Sequence, residues 1–391
     1  MTSGHDVIVI GCGAMGAAAT LALAQRGARV LALDRDGVPN NTSSHHGDSR
    51  MIRLAYYEHP DYVPLLKEAH ALWKRLESES GETLFHETGG LYMGRAGLEF
   101  VESSRRSAEQ HGLPHEMLSA EDLRREHPQF RLPDDHVALF EPMAGMLLCE
   151  RIIRAQARLA RACGAEIREH EAVQSWRAEP NGVVVRTTTA EHRADRLLLT
   201  AGPWSARLIE SIAPRLTVTR QPMGWVDPLR ADRLALGALP CWAVGAEDGS
   251  LLYGFPMRPG ERAFKVARHL PLDACDPETV DRGPRADDEA TFRADLARLL
   301  PEADGPLREI RVCMYTNSPD GHFIVDRHPD SERVVIAAGF SGHGFKFASV
   351  MGEALADLAL DGRSRRPLEF LGLRRFGESG YTVRPLKGAD E

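Results

Sequence analysis

The first thirty-four residues constrain this chain more than any other stretch. Val7-Ile8-Val9-Ile10 is a β-branched run without a polar face, which suits a strand buried on both sides of a parallel sheet. Gly11-Cys12-Gly13-Ala14-Met15-Gly16 follows at once, then an alanine-rich segment of helical character to Arg26, ended by Gly27. A second apolar run, Val30 to Leu33, closes on Asp34. The spacing G-x-G-x-x-G alone is weak evidence. Between a strand and a helix, with an acid ending the next strand, it is the arrangement a dinucleotide-binding βαβ unit needs. Gly11 permits the tight turn, Gly13 lets a pyrophosphate approach the backbone, and Gly16 lets helix and strand pack closely. The phosphates would meet the free N–H groups and positive dipole end of the helix. Asp34 would accept hydrogen bonds from the ribose hydroxyls. Cys12, inside the turn, reads as a small filler. The fingerprint does not choose between NAD and FAD.

A polar loop, Asn40 to Arg50, comes next, and a helix is expected from Asp61 to Glu77 with Leu65, Ala69, Leu72, Trp73 and Leu76 on one stripe. His45 and His46 have no further ligands at useful spacing, so no metal centre is expected. Cys149 to Cys163 reads as a helix ended by Gly164, and Glu166–Trp176 and Gly182–Thr189 as strands. Arg196 to Ala201 is another buried-type strand, running into Gly202. Between 221 and 319 the pattern is antiparallel, with strands over 251–256 and 263–269. Alternation puts Lys265, Ala267 and His269 on one face, either a solvated edge or the wall of a site. Val334 to Ala338 then enters a glycine-rich loop, Gly339 to Gly344, ahead of a helix through Leu360 capped at Gly362. Lys346 stands near the start of that helix. The junction is either a plain connector or a second cradle, suited to the pyrimidine end of a flavin.

Composition narrows the class further. With 43% hydrophobic and 27% charged residues in 391, the chain is an ordinary globular protein of two-domain size. A net charge of −8 gives no broad footprint for nucleic acid. No segment approaches a membrane span, and the N-terminus carries no secretory pattern. Six scattered cysteines without a C-x-x-C pair suit a reducing compartment, so a cytoplasmic location is expected, with most of the cysteines buried fillers. The expected architecture is α/β in two domains. A Rossmann-like dinucleotide-binding domain takes residues 1–83, 150–220 and 320–391, and a mainly antiparallel-sheet substrate domain takes 84–149 and 221–319.

Five segments in order carry a family resemblance. They are the N-terminal fingerprint, Ser44-His45-His46-Gly47-Asp48-Ser49-Arg50-Met51-Ile52-Arg53, Cys313-Met314-Tyr315-Thr316, His322-Phe323-Ile324-Val325-Asp326, and Gly339-Phe340-Ser341-Gly342-His343-Gly344-Phe345-Lys346-Phe347. Together they resemble the monomeric sarcosine oxidase family of FAD-dependent amine oxidases, which includes N-methyltryptophan and pipecolate oxidases. The resemblance implies FAD joined covalently through the sulfur of Cys313. It implies a substrate carboxylate held by Arg53 and Lys346, a cavity lined by Tyr253, His269 and Tyr315, and oxygen activation beside Lys265. Arg50 and His46 would face the other side of the ring. Gly11, Gly13, Met15, Gly16, Asp34, Ser44, His45, Val173, Gly202, Gly342, Gly344 and Phe345 would complete the cofactor site. The implied reaction takes a secondary amino acid and O2 to an imine and H2O2, the imine hydrolysing to amino acid and formaldehyde, in a monomeric enzyme. Leu54–His59 and Pro240–Gly245 depart from the sarcosine oxidase pattern and leave room for a bulkier or cyclic amine. A dehydrogenase with another electron acceptor is the alternative in the same fold, and a nucleotide-binding sensor without turnover is the alternative outside catalysis.

Overall fold

The computed structural model describes residues 4–269 and 273–377; residues 378–391, assigned by sequence to the nucleotide domain, lie outside them. The fingerprint strand His5–Ile10 is the centre of an eight-stranded sheet. It pairs in parallel with Val30–Leu33 on one side and with Glu191–Leu199 on the other. Val30–Leu33 pairs in turn with Glu166–Arg168. Glu191–Leu199 shares one edge between two partners. Its first half runs antiparallel to Gly182–Thr187, and its last residues run parallel to Ser331–Ala338. Val7, Ile8, Val9, Leu31, Ala32, Leu197 and Leu198 are completely buried, as strands covered on both faces require.

Helices Ala14–Gln25, Cys149–Ala162 and Ala348–Leu360 cover one face of this sheet, and Tyr62–Ser80 packs on the outer side of these helices. Ala14–Gln25 and Ala348–Leu360 cross closely because both are lined by small residues. A β-carbon on Gly352 would lie 2.6 Å from the Ala18 backbone, so that crossing needs glycine. The expected helices and strands are found with shifted ends. The single strand expected from Glu166 to Trp176 is broken, however, into Glu166–Arg168 and Val173–Glu179 by a turn in which His170 has φ 59°.

The second large sheet has the order Leu307–Asn317, Thr217–Val226, Phe264–His269, Leu251–Gly254, Cys241–Gly245, Gly90–Arg95, His136–Glu141, Glu116–Leu118. Every pairing is antiparallel except Cys241–Gly245 with Gly90–Arg95. A third, three-stranded sheet joins Ser49–Ile52, Gly145–Leu148 and Phe85–His86. Ser49–Ile52 begins in the polar loop expected over Asn40–Arg50. It becomes a strand because Gly145–Leu148, nearly a hundred residues away, supplies its ladder.

The cysteine expectation needs correction. Cys12, Cys149, Cys241 and Cys313 are buried, but Cys163 is exposed at the end of the helix Cys149–Ala162, and Cys275 is only partly covered. A position past the last helical turn has no packing partner, which composition does not reveal.

Candidate active site

A cavity of about 530 Å³ runs from the fingerprint turn, across the C-terminal ends of the parallel strands, to the second sheet. At its first end the walls are backbone. Gly11 has φ 86°, and a β-carbon there would lie 2.6 Å from Thr200 O. A β-carbon on Gly16 would lie 1.7 Å from Gly11 O, so only glycine closes the turn onto the helix. Gly13 precedes the helix Ala14–Gln25, whose N-terminus has no side-chain cap, so its leading N–H groups remain available. His45 lines this part, 3% exposed, with Nε2 lacking a protein partner. Burial pushes its imidazole down to about 4, so it is neutral and can donate one N–H. Asp34 is also buried. Desolvation pushes its carboxyl up to about 6, against the N–H groups of Asp36 and Cys12, which donate to it at 2.9 and 2.7 Å. A carboxylate beside a glycine turn, a free helix N-terminus and an unpartnered imidazole suit a ribose followed by phosphates.

The excursion 273–288 reaches back to this end from the second sheet. Arg220 holds it through Asp281 O, Gly283 O and the Asp288 carboxylate. Glu278 then accepts from Arg35 at 2.6 and 3.1 Å and from the Trp204 indole at 2.8 Å. Arg35, Trp204 and Glu278 therefore close over the cavity as a clasp. No sequence pattern joins residues so far apart, and the sequence reading missed them.

The other end is built from side chains. Cys313, on Leu307–Asn317, is 1% exposed, and its Sγ donates to Ser44 O at 3.1 Å, with the Arg50 guanidinium 3.5 Å away. Arg50 is pinned by the carbonyls of Ser44, His46 and Ser49. His269 Nδ1 and the Tyr315 hydroxyl are 3.1 Å apart, and Tyr253 lines the same wall. Burial holds His269 down at about 4, so the imidazole is neutral at pH 7. Arg53 lies between the rings of Tyr56 and Tyr57, 4.6 Å from each, and is 7% exposed. One nitrogen pairs with Glu58 at 2.6 Å, while Nη1 has no partner. Lys346 Nζ donates to His343 O at 2.8 Å. Burial, reinforced by Arg53, brings its ammonium down to about 7. The guanidinium and ammonium thus face one space that wants an anion.

The structure brings Gly11, Gly13, Met15, Asp34, Ser44, His45, Arg50, Arg53, Val173, Gly202, Tyr253, His269, Cys313, Tyr315, Gly342, Gly344, Phe345 and Lys346 onto this one cavity. Three residues singled out by sequence stand behind its wall. Gly16 packs on Gly11, and His46 faces Glu150 at 3.7 Å. Lys265 donates to Gly47 O at 2.5 Å and Ser49 O at 2.7 Å, with its ammonium 4.8 Å from the Phe255 ring. Burial, then Arg50, pushes Lys265 down to about 7. Glu58 and His343 line the cavity without having been assigned by sequence. Glu58 sits in the segment that departs from the family pattern, and His343 inside a motif that carries it, so both had a signal.

Comparison with known proteins agrees with this geometry. The family model described as FAD dependent oxidoreductase matches residues 6–358. A monomeric sarcosine oxidase of Streptomyces avermitilis is 39% identical over 384 residues, covering 96% of this chain and 99% of the relative. An N-methyl-L-tryptophan oxidase of Yersinia pestis is 34% identical, with 95% and 99% covered. Among solved structures, the open form of NikD, an unusual amino acid oxidase essential for nikkomycin biosynthesis, superposes with a TM-score of 0.83 at 25% identity, covering 95% of this chain and 98% of that one. An L-proline dehydrogenase from P. horikoshii shares the fold with a TM-score of 0.84 at 20% identity, over 96% and 98%. The glycine cradle, the buried acid and the cationic far end fit FAD, and the chain belongs to the FAD-dependent oxidoreductase family as a flavin-dependent amine oxidoreductase.

Proposed function

We propose that the protein oxidises the C–N bond of a secondary amino acid, an N-methyl amino acid in the first instance, with O2 as the final acceptor. The observation that carries this reading is the buried Arg53 with a free Nη1 beside Lys346, in one cavity with neutral His269 and Tyr315. Two cations suit one carboxylate, and a neutral imidazole with two phenols suits an uncharged amine. For sarcosine the balance is sarcosine, O2 and water to glycine, formaldehyde and H2O2. Bound FAD supplies the two-electron acceptor. Residues 1–83, 150–220 and 320–391 form its domain in this reading, residues 84–149 and 221–319 form the substrate domain, and Cys313 is the covalent anchor.

The chain's own groups have distinct tasks. Arg53 and Lys346 fix the carboxylate, which leaves the amine nitrogen near Tyr253, His269 and Tyr315. His269 is too weak a base to hold a proton at neutral pH, so it accepts or donates a hydrogen bond without adding charge. Arg50 sets positive charge against Cys313 Sγ. In this reading Lys265, held by Gly47 O and Ser49 O behind the cavity wall, supplies the positive charge that favours an oxygen-derived anion. The named activities of the sarcosine and N-methyl-L-tryptophan oxidases support this substrate class.

Tyr57, Phe100, Ala243 and Leu251 favour a second reading, in which the substrate carries an apolar side chain or ring. All four line the cavity, with the Tyr57 and Phe100 rings 5.1 Å apart. Anaerobic bleaching of the flavin by sarcosine, N-methyltryptophan, pipecolate and proline separates the two readings. A peroxide assay separates oxidase from dehydrogenase. Acid precipitation tests the anchor: yellow colour stays in the pellet of the parent protein and passes to the supernatant for Cys313→Ala. Colour in the parent's supernatant would refute the covalent link.

A further inference from the structure

Glu141 ends the strand His136–Glu141 in the second large sheet and is 1% exposed. It does not line the cavity, yet its carboxylate collects three donors. Oε1 accepts the Leu54 N–H at 2.8 Å, and Oε2 accepts the Ala55 N–H at 3.2 Å and the Tyr92 hydroxyl at 2.6 Å. Leu54 and Ala55 are completely buried and follow directly on Arg53, where the chain has left the strand Ser49–Ile52. Their N–H groups have no sheet ladder to join, and buried N–H groups must be paired. A carboxylate takes the place of the missing strand.

That choice has a mechanical result. The segment 53–58 brings Arg53, Tyr57 and Glu58 to the cavity wall, and Tyr56 and Tyr57 sandwich the guanidinium. Hydrogen bonds to a charged acceptor are shorter and stronger than neutral ones. They tie this segment to the sheet that also carries Tyr253 and His269. Burial raises the Glu141 carboxyl, and its three donors and Arg53 oppose that rise. Both oxygens receive donors, an arrangement that suits the carboxylate.

We propose that Glu141 is a positioning residue for the carboxylate clamp: it fixes the backbone behind Arg53 and so sets the distance between the guanidinium that holds the substrate's carboxylate and the His269–Tyr315 pair that faces its amine. The proposal rests on the clamp reading of Arg53 and Lys346. Its test uses the holoenzyme and a probe that is not turned over, methoxyacetate, titrated against the visible flavin spectrum. Glu141→Gln binds the probe about tenfold more weakly, the scale of a hydrogen bond to a charged group. Its limiting rate of anaerobic flavin reduction changes by less than about twofold, since the clamp sets occupancy more than chemistry. Tyr92→Phe removes one donor and weakens the probe about threefold. It decides the matter if Glu141→Gln yields no holoenzyme. Probe binding unchanged in the variants, even with a lower melting temperature, overturns the proposal and leaves the clamp in place. A parent enzyme that binds no carboxylate removes the clamp and this proposal with it.

Discussion

The two ends of the cavity are made of different materials. At the nucleotide end, contiguous residues shape the backbone: Gly11 turns, Gly13 opens, Gly16 packs, and Asp34 adds a buried carboxyl, with the Arg35–Glu278 pair closing over the top. At the far end the backbone is scaffolding, and the work falls to side chains from four distant segments, around 50–58, 253–269, 313–315 and 342–346. At the first end, Gly11 and Gly16 tolerate no added atom. The second holds buried cations at a cost, visible in Lys265 and Lys346, whose ammonium groups burial brings down to about 7. Binding a common cofactor needs shape, which local sequence can encode. Chemistry on one substrate needs charge in a dry place, which only the folded chain can assemble.

If the nucleotide end is shape alone, Gly16→Ala gives the largest effect. Its β-carbon would meet Gly11 O at 1.7 Å, so a stability loss of ~3 kcal/mol or more is expected, with no retained flavin. Urea midpoints and flavin content measure both. Gly27→Ala is the control. It meets nothing within 4 Å, though φ is 81°, and should cost only about 1 kcal/mol. A parent-like Gly16→Ala protein would break the contrast.

At the side-chain end, Lys265→Met keeps the volume and removes the charge. Reoxidation by O2 should slow by about 10²–10³-fold, as for other preorganised charges, with anaerobic reduction far less affected. Stopped-flow measurement of the two half-reactions decides, and equal slowing would remove the assignment.

The smallest effect is a pH dependence. Lys346 is a cation below about pH 7 and neutral above it, so carboxylate binding weakens as pH rises through that value. Binding the anion favours the ammonium and moves the fall somewhat higher. About a tenfold loss of methoxyacetate affinity is expected between pH 6 and 8.5, one lost charge-assisted contact. Lys265 titrates in the same window, so Lys346→Met is needed to separate them: it should be weak and flat. His269 and His343, held down at about 4 and about 3, cannot produce the change. A variant that keeps the slope would assign it to Lys265.

The same division explains what could be read from the sequence. The strand, turn and helix of the fingerprint were legible because one period and one spacing encode them. The antiparallel pair 251–254 and 264–269 was legible from alternation, and the cavity residues from resemblance to a family. Three features were not. Ser49–Ile52 is short, opens in a polar loop, and becomes a strand only against Gly145–Leu148. Glu278 reaches Arg35 across more than two hundred residues. Glu141 looks like the polar end of a strand, and its three donors come from 92 and from 54–55. Each depends on a pairing between distant parts of the chain, and no local pattern records such a pairing.

The central sheet also dictates a timetable for synthesis. The fingerprint strand His5–Ile10 emerges first, yet its neighbour Glu191–Leu199 is made far later, and the strand completing that row, Ser331–Ala338, later still. At ~5–20 residues per second, the nascent chain waits on the order of 20–70 s before the loop after residue 338 exists. Through that wait the glycine turn is present without its far wall. The cradle written first in the sequence is thus among the last parts to become a binding site.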